Sequence, residues 1–162
     1  MKEEMDSLAH NQTWDLVKFP VGKIALQNKW VCRLKEEDGG RKRYKTRLVV
    51  KRFAQKKGID FDEIFSPVVK MTSIRTILNL VAIEYLHLEQ LDVKITFIHG
   101  HLEEQIYMQQ PQGYEVKGKE KLVCRLKKSL YGLKQAPRQW YLKFDRFMSE
   151  KGYTLCLSQK EK

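Results

Sequence analysis

Residues 88–100 read LEQLDVKITFIHG. Leu91, Val93 and Ile95 alternate with Gln90, Asp92, Lys94 and Thr96, which is the period of a strand buried on one face. Asp92 then projects opposite an apolar row, near the strand's end. A carboxylate so placed has a plain explanation, pairing with Lys94 two residues along the same face. Spacing alone does not raise it above that, so the neighbouring segments must decide.

Upstream, Ile74, Ile77, Leu78, Val81, Ala82 and Tyr85 recur at i, i+3, i+4, i+7, i+8 and i+11. The pattern predicts a helix capped by Thr72 or Ser73 that lays an apolar stripe on the core. Downstream, His99 and His101 flank Gly100, but a His-x-His with no third ligand beside it is weak ground for zinc. The segment HLEEQIYMQQPQGY at 101–114 predicts a short helical turn and then a strand ended by Pro111 and Gly113. Residues 122–126 form another strand. In SLYGLKQAPRQWYLKFDRFMSEKGY at 129–153, Gly132 permits a tight turn and Pro137 suits a helix start. Trp140, Tyr141, Phe144, Phe147 and Met148 make that helix's buried stripe, with Gly152 as its stop.

The beginning of the chain reads as a short amphipathic piece over 1–10 ended by Asn11, a strand at 14–17, and a loop at Pro20 and Gly22. Two strand-like runs, KWVCRLK at 29–35 and RYKTRLVVK at 43–51, are joined through Glu-Glu-Asp-Gly-Gly. Asp-Gly in such a link is a hairpin signal. Arg33, Lys35, Lys45 and Arg47 alternate along it, so much of its charge shares a face. The Gly pair is turn chemistry, since no GxxxxGK[ST] or GxGxxG pattern occurs. Loop residues Asp60, Asp62 and Glu63 match no EF-hand spacing and read as solvated acids.

Composition bounds the partners. The chain has 162 residues, 42% of them hydrophobic, enough for one globular domain. Cysteines at 32, 124 and 156 form no CxxC pair and leave one over, which suits a reduced compartment, cytoplasm or nucleus, better than secretion. No signal peptide and no membrane-length apolar run is visible. The net charge of +11 is uneven. Residues 29–57 hold twelve Lys and Arg against three acids, and residues 117–138 hold eight against one. Two such blocks point to a polyanion, a nucleic acid above all, rather than to a generally solvated basic surface.

Four stretches carry a family resemblance: RYKTRLVVKRFAQ at 43–55, FDEIFSPVVKMTSIR at 61–75, LEQLDVKITFIHGHLEEQIYM at 88–108 and SLYGLKQAPRQWY at 129–141. In this order they resemble the reverse transcriptase of copia-type LTR retrotransposon Pol polyproteins, over nearly the whole chain. The resemblance implies an α+β fold, with partial fingers and palm of an incomplete polymerase right hand. Residues 1–72 would be fingers-like and 73–100 palm with the first catalytic strand. Residues 101–134 would return to the fingers, and 135–162 would be a palm helix and truncated end.

It also implies roles. Asp92 matches the first catalytic aspartate, with the Val93 carbonyl beside it as a metal ligand and Mg²⁺ as the cofactor. Phe97 falls where the family screens the sugar 2′ carbon of the incoming nucleotide. Lys35, Lys45 and Arg47 would hold the triphosphate, and Tyr131, Gly132 and Lys134 to Pro137 would line nucleotide and template. Arg33, Arg41, Lys42, Arg43, Lys127, Lys128 and Arg138 are the candidate nucleic-acid contacts. The implied partners are an RNA template, a DNA primer, deoxynucleoside triphosphates and the remainder of the Pol polyprotein, with no membrane. Such chemistry is mostly positioning and charge neutralisation.

The departures are as informative. The family's Tyr-x-Asp-Asp hairpin has no counterpart, and the chain contains no Asp-Asp pair. Arg52 stands where the family usually has Gly, Ile95 where it has a small polar residue, and His101 where it has an acid. The expectation is a polymerase fragment inactive on its own. The alternative is a non-catalytic nucleic-acid-binding module that uses the basic hairpin.

Overall fold

The computed structural model describes residues 1–37, 39–90, 92, 93 and 95–153. Helix α1 (Lys2–His10) leads into strand β1 (Trp14–Lys18), short β2 (Ala25–Leu26), and the long pair β3 (Asn28–Glu37) and β4 (Arg41–Val50). Then follow α2 (Met71–Ile83), β5 (Tyr107–Met108), β6 (Leu122–Leu126) and α3 (Ala136–Glu150), with 3₁₀ turns at Arg52–Ala54 and Thr96–His99. The architecture is α+β.

A four-stranded sheet has the order β1-β6-β5-β2, antiparallel except for the parallel β2/β5 contact. β3 and β4 form a separate antiparallel hairpin, from Asn28 opposite Val50 outward to the turn; Asp38, expected in that turn, lies outside the described residues. One core joins the two sheets. Leu8 of α1, Leu26, Leu48 and Val50 from the hairpin root, Ile98, Met108, Cys124, Leu126, Leu130 and Leu133 all pack in it. Thr13 locks α1 to the sheet. Its hydroxyl donates to the Leu8 carbonyl at 2.8 Å, and its own carbonyl accepts from the Lys127 N–H at 2.9 Å.

At the C-terminal end of α3, Gly152 N–H donates to the Ser149 carbonyl and Tyr153 N–H to the Met148 carbonyl, both at 3.0 Å, closing the helix where the sequence predicts. Pro137 sits in its first turn. Trp140, Tyr141, Phe144 and Met148 are half-buried, but Phe147 is exposed.

Three expectations need correction. The described residues of 88–100 form no strand. Among the described residues of 88–95 none is paired in a sheet, and Leu91 and Lys94 lie outside them. Ile95 adopts φ 57°, incompatible with an extended strand, and the chain then winds into the 3₁₀ turn. Alternation supplies a face, but a strand also needs a hydrogen-bonding neighbour, and none lies alongside. The helix over 71–83 is present, yet none of its residues is buried, so its apolar stripe is exposed. No side chain caps it, Lys70 and not Thr72 or Ser73 standing at the N-cap. Finally, 101–106 hold no helical turn. Among the described residues no helix is long and apolar enough to cross a membrane.

Candidate nucleotide and nucleic-acid interface

Hairpin register fixes which cations share a face. Lys45 stands opposite Arg33, Arg43 opposite Lys35, and Arg47 opposite Val31. Facing residues point the same way, so Arg33, Lys35, Arg43, Lys45 and Arg47 line one side, and alternation adds Arg41. Lys42 faces Glu36 on the other side, which also carries Leu34 and Tyr44. Like charges directly opposed across a ladder are destabilising by a few tenths of a kcal/mol to ~1 kcal/mol per pair. This hairpin has two such pairs.

At its root the hairpin meets the turn at residues 131–132. The Val50 N–H donates to the Tyr131 carbonyl at 2.7 Å, and Val49 bridges to Tyr131. The Arg47 guanidinium lies 4.8 Å above the Tyr131 ring, a cation–π contact, and Phe97 meets that ring edge-on at 5.1 Å. Gly132 has φ +95°, and a Cβ there would meet the Val50 carbonyl oxygen at 2.1 Å. Only glycine allows that approach. Four of the residues assigned to the nucleotide by sequence, Arg47, Phe97, Tyr131 and Gly132, are thus brought together.

Lys35 and Lys45 lie farther out on the same hairpin face, and the cations outside the hairpin are engaged elsewhere. Lys134 turns inward, its Nζ 3.3 Å from the Gln55 carbonyl and 4.7 Å from the Phe61 ring centroid. Lys127 pairs with Asp15 at 2.9 Å, with Arg125 on the same carboxylate at 3.6 Å. The Lys127 hydrogen bond holds the Asp15 carboxyl below its usual range. Lys128 bridges to His101 through the backbone, and Arg138 donates to the Phe65 carbonyl at 3.3 Å on α3. Asp92 is exposed, and the Val93 carbonyl accepts from the Thr96 hydroxyl at 3.1 Å.

Sequence reasoning missed two features. Glu3 and Glu4 of α1 reach the cation row. Glu3 contacts Arg43 at 3.4 Å, and half-buried Glu4 is pushed up by desolvation, offset by the Leu48 backbone and the charges of Arg47 and Lys45. Buried Gln55, Asp60 and Gln135 form a polar network beside the turn. Nothing in Arg-Phe-Ala-Gln or Leu-Lys-Gln-Ala marks these amides as buried, since each glutamine stands next to a lysine in the sequence.

Whether Mg²⁺ fits was tested on the donor set. Among the described residues no group of three His, Cys, Asp or Glu is placed to hold a metal, and the Val93 carbonyl is already engaged. The residues present do not make a Mg²⁺ centre.

The site is thus a cation-lined hairpin hydrogen-bonded at its root to an aromatic turn. Residues 11–159 match the family model for reverse transcriptase (RNA-dependent DNA polymerase), and the chain belongs to that family. It is 66% identical over 155 residues to the retrovirus-related Pol polyprotein from transposon TNT 1-94 of Nicotiana tabacum, a match covering 94% of this chain and 12% of that protein. It is 40% identical over 160 residues to the Pol polyprotein from transposon RE2 of Arabidopsis thaliana, covering 98% of this chain and 11% of the relative. The Ty1-BL Gag-Pol polyprotein of Saccharomyces cerevisiae is 27% identical over 143 residues, covering 86% and 8%. The chain therefore corresponds to a small segment of these polyproteins. No solved structure matches it.

Proposed function

We propose that this chain is the fingers and leading palm portion of an RNA-directed DNA polymerase, which as it stands binds phosphates without transferring nucleotides. Residues 1–72 and 101–134 are read as fingers, 73–100 as leading palm, and the rest as the palm helix. The observation that carries the binding half is the hairpin register, which sets Lys45 opposite Arg33 and Arg43 opposite Lys35. Opposed cations cost stability unless a polyanion lies across them. Arg47 on Tyr131 at the root supplies a flat, charged floor for a nucleotide, and Phe97 closes one side of it. Template and primer strands fit the exposed outer part of the row, and a triphosphate the root.

The non-transferring half rests on the donor set. Asp92 is an isolated exposed carboxylate, and the sequence has no Asp-Asp pair to join it. The remaining acids, and the surface that covers α2, would come from the rest of the Pol polyprotein. The same observation favours the second reading, a purely binding module. Both readings share one test. An RNA–DNA primer–template duplex should bind at low salt, with affinity falling as salt rises. Lys45→Ala with Arg47→Ala should lower the affinity and reduce the log–log salt slope by about one per lost phosphate contact. An unchanged slope would sink the hairpin as the binding face.

A further inference from the structure

The turn bearing Tyr131 is clamped from both sides. On one side is the hairpin root, through Val49 and Val50. On the other is a buried chain of amides. The Lys134 N–H donates to Gln55 Oε1 at 2.9 Å, Gln55 Nε2 donates to Gln135 Oε1 at 3.0 Å, and Gln135 Nε2 donates to the Asp60 carbonyl at 2.8 Å. The Asp60 carboxylate accepts from the Lys56 N–H at 2.8 Å, closing the loop that begins just after the hairpin. Gln135 is 0% exposed, Gln55 4% and Asp60 7%. Two buried glutamines in contact are unusual, because each unsatisfied amide atom would be costly. Here the pairing fixes the residues after Gly132 against those after Val50.

Lys134 belongs to the same clamp. Its ammonium donates to the Gln55 carbonyl at 3.3 Å and lies over Phe61, which is itself buried. Its ammonium is thus engaged with the segment after the hairpin and braces the turn.

We propose that Gln55 and Gln135 are positioning residues, and Lys134 a strut, which together hold Tyr131 under the Arg47 guanidinium. This deepens the nucleotide reading above and rests on it for its purpose, but the geometry it asserts is testable without any nucleotide. Gln55 touches neither Tyr131 nor Arg47 in any hydrogen bond recorded here, so its effect passes through the turn backbone.

The test uses the whole 162-residue chain. Arg47 side-chain protons above the Tyr131 ring should resonate upfield in NMR spectra of the wild type. Gln55→Leu, which keeps the volume but leaves the Lys134 N–H and Gln135 Oε1 unpaired, should abolish that upfield shift while the amide signals of β1 and β6 stay in place. Thymidine triphosphate should then bind about ten-fold more weakly. Gln135→Leu, which leaves Gln55 Nε2 and the Asp60 carbonyl without their partner, should also lose the Arg47 shift, which keeps the test open if Gln55→Leu does not fold. Lys134→Met should leave the salt dependence of triphosphate binding as in wild type, whereas Lys45→Ala should flatten it. An Arg47 shift retained in folded Gln55→Leu or in folded Gln135→Leu, or a salt dependence flattened by Lys134→Met, would each overturn the proposal. If wild type binds no triphosphate yet Gln55→Leu removes the Arg47 shift, the positioning stands and the nucleotide reading falls.

Discussion

At Gly132 the backbone of the aromatic turn and that of the hairpin come as close as two chains can. A Cβ would meet the Val50 carbonyl oxygen at 2.1 Å and the Val49 Cγ1 at 2.8 Å, and φ is +95°. Gly132→Ala combines a backbone penalty with an overlap against main chain that cannot rotate away. It should destabilise the chain by about 3 kcal/mol or more in denaturant unfolding. A loss below about 1 kcal/mol would show that the turn and hairpin are not in contact. Cys124 offers a titration at the same scale. It is fully buried between Val123 and Arg125 in β6, and burial pushes its thiol from 9.0 up to about 12. The protonated form is the one the fold accommodates. Its stabilising share is therefore complete below pH 9 and lost as pH rises toward about 12, at roughly 1.4 kcal/mol per pH unit. Denaturation at pH 8, 10 and 11, compared with Cys124→Ala, isolates that share. Equal pH slopes in the two proteins would exclude it.

Elements whose stabilising partners lie close by were legible in the sequence. The β3/β4 hairpin carries its own partner two residues past a Gly pair, so alternation and turn chemistry suffice, and the cation row follows from register. α3 declares itself through Pro137, its aromatic stripe and Gly152. The stretch 88–100 and α2 were read by the same periodicities and behave differently, because alternation and amphipathicity report a face and not what covers it. Ile74, Ile77, Leu78, Leu80 and Ile83 are all exposed on α2, as are Val93 and Leu88 beyond it. An apolar surface of that kind marks an interface, and the relatives' much longer polyproteins supply the candidate cover. Until covered, it should make the isolated chain self-associate. Sedimentation should show concentration-dependent oligomers that Ile77→Asp with Leu80→Lys dissolves without lowering the unfolding midpoint, since neither side chain is buried. A wild-type monomer across the accessible concentration range would mean that this face is closed in solution.

Across the whole molecule, the blocks at 43–55, 88–108 and 129–141 do bring Arg47, Phe97, Tyr131 and Gly132 together, so that much of the candidate site's geometry was legible. The outlying cations were not. Charge counts cannot show that Lys127 is matched to Asp15 across 112 residues, or that Lys134 turns inward to Gln55. The same separation between charge and geometry governs the catalytic expectation. Phosphate binding needs only cations in a row, and the hairpin provides them. In-line transfer needs several hard oxygen ligands converging on metal ions, and an exposed Asp92 that joins no metal-holding group of three His, Cys, Asp or Glu among the described residues offers too few. Primer extension by the 162-residue chain should therefore be undetectable on an RNA template with Mg²⁺ and all four deoxynucleoside triphosphates. Duplex binding should persist in the same samples. Asp92→Asn should leave binding unchanged or slightly tighter, because it removes one negative charge and no contact to the cation row. The decisive contrary result is templated, Mg²⁺-dependent nucleotide addition that Asp92→Asn abolishes. It would mean that the carboxylate recruits its missing ligands from within this chain, and that 88–100 rearranges around the metal into the strand its alternation describes.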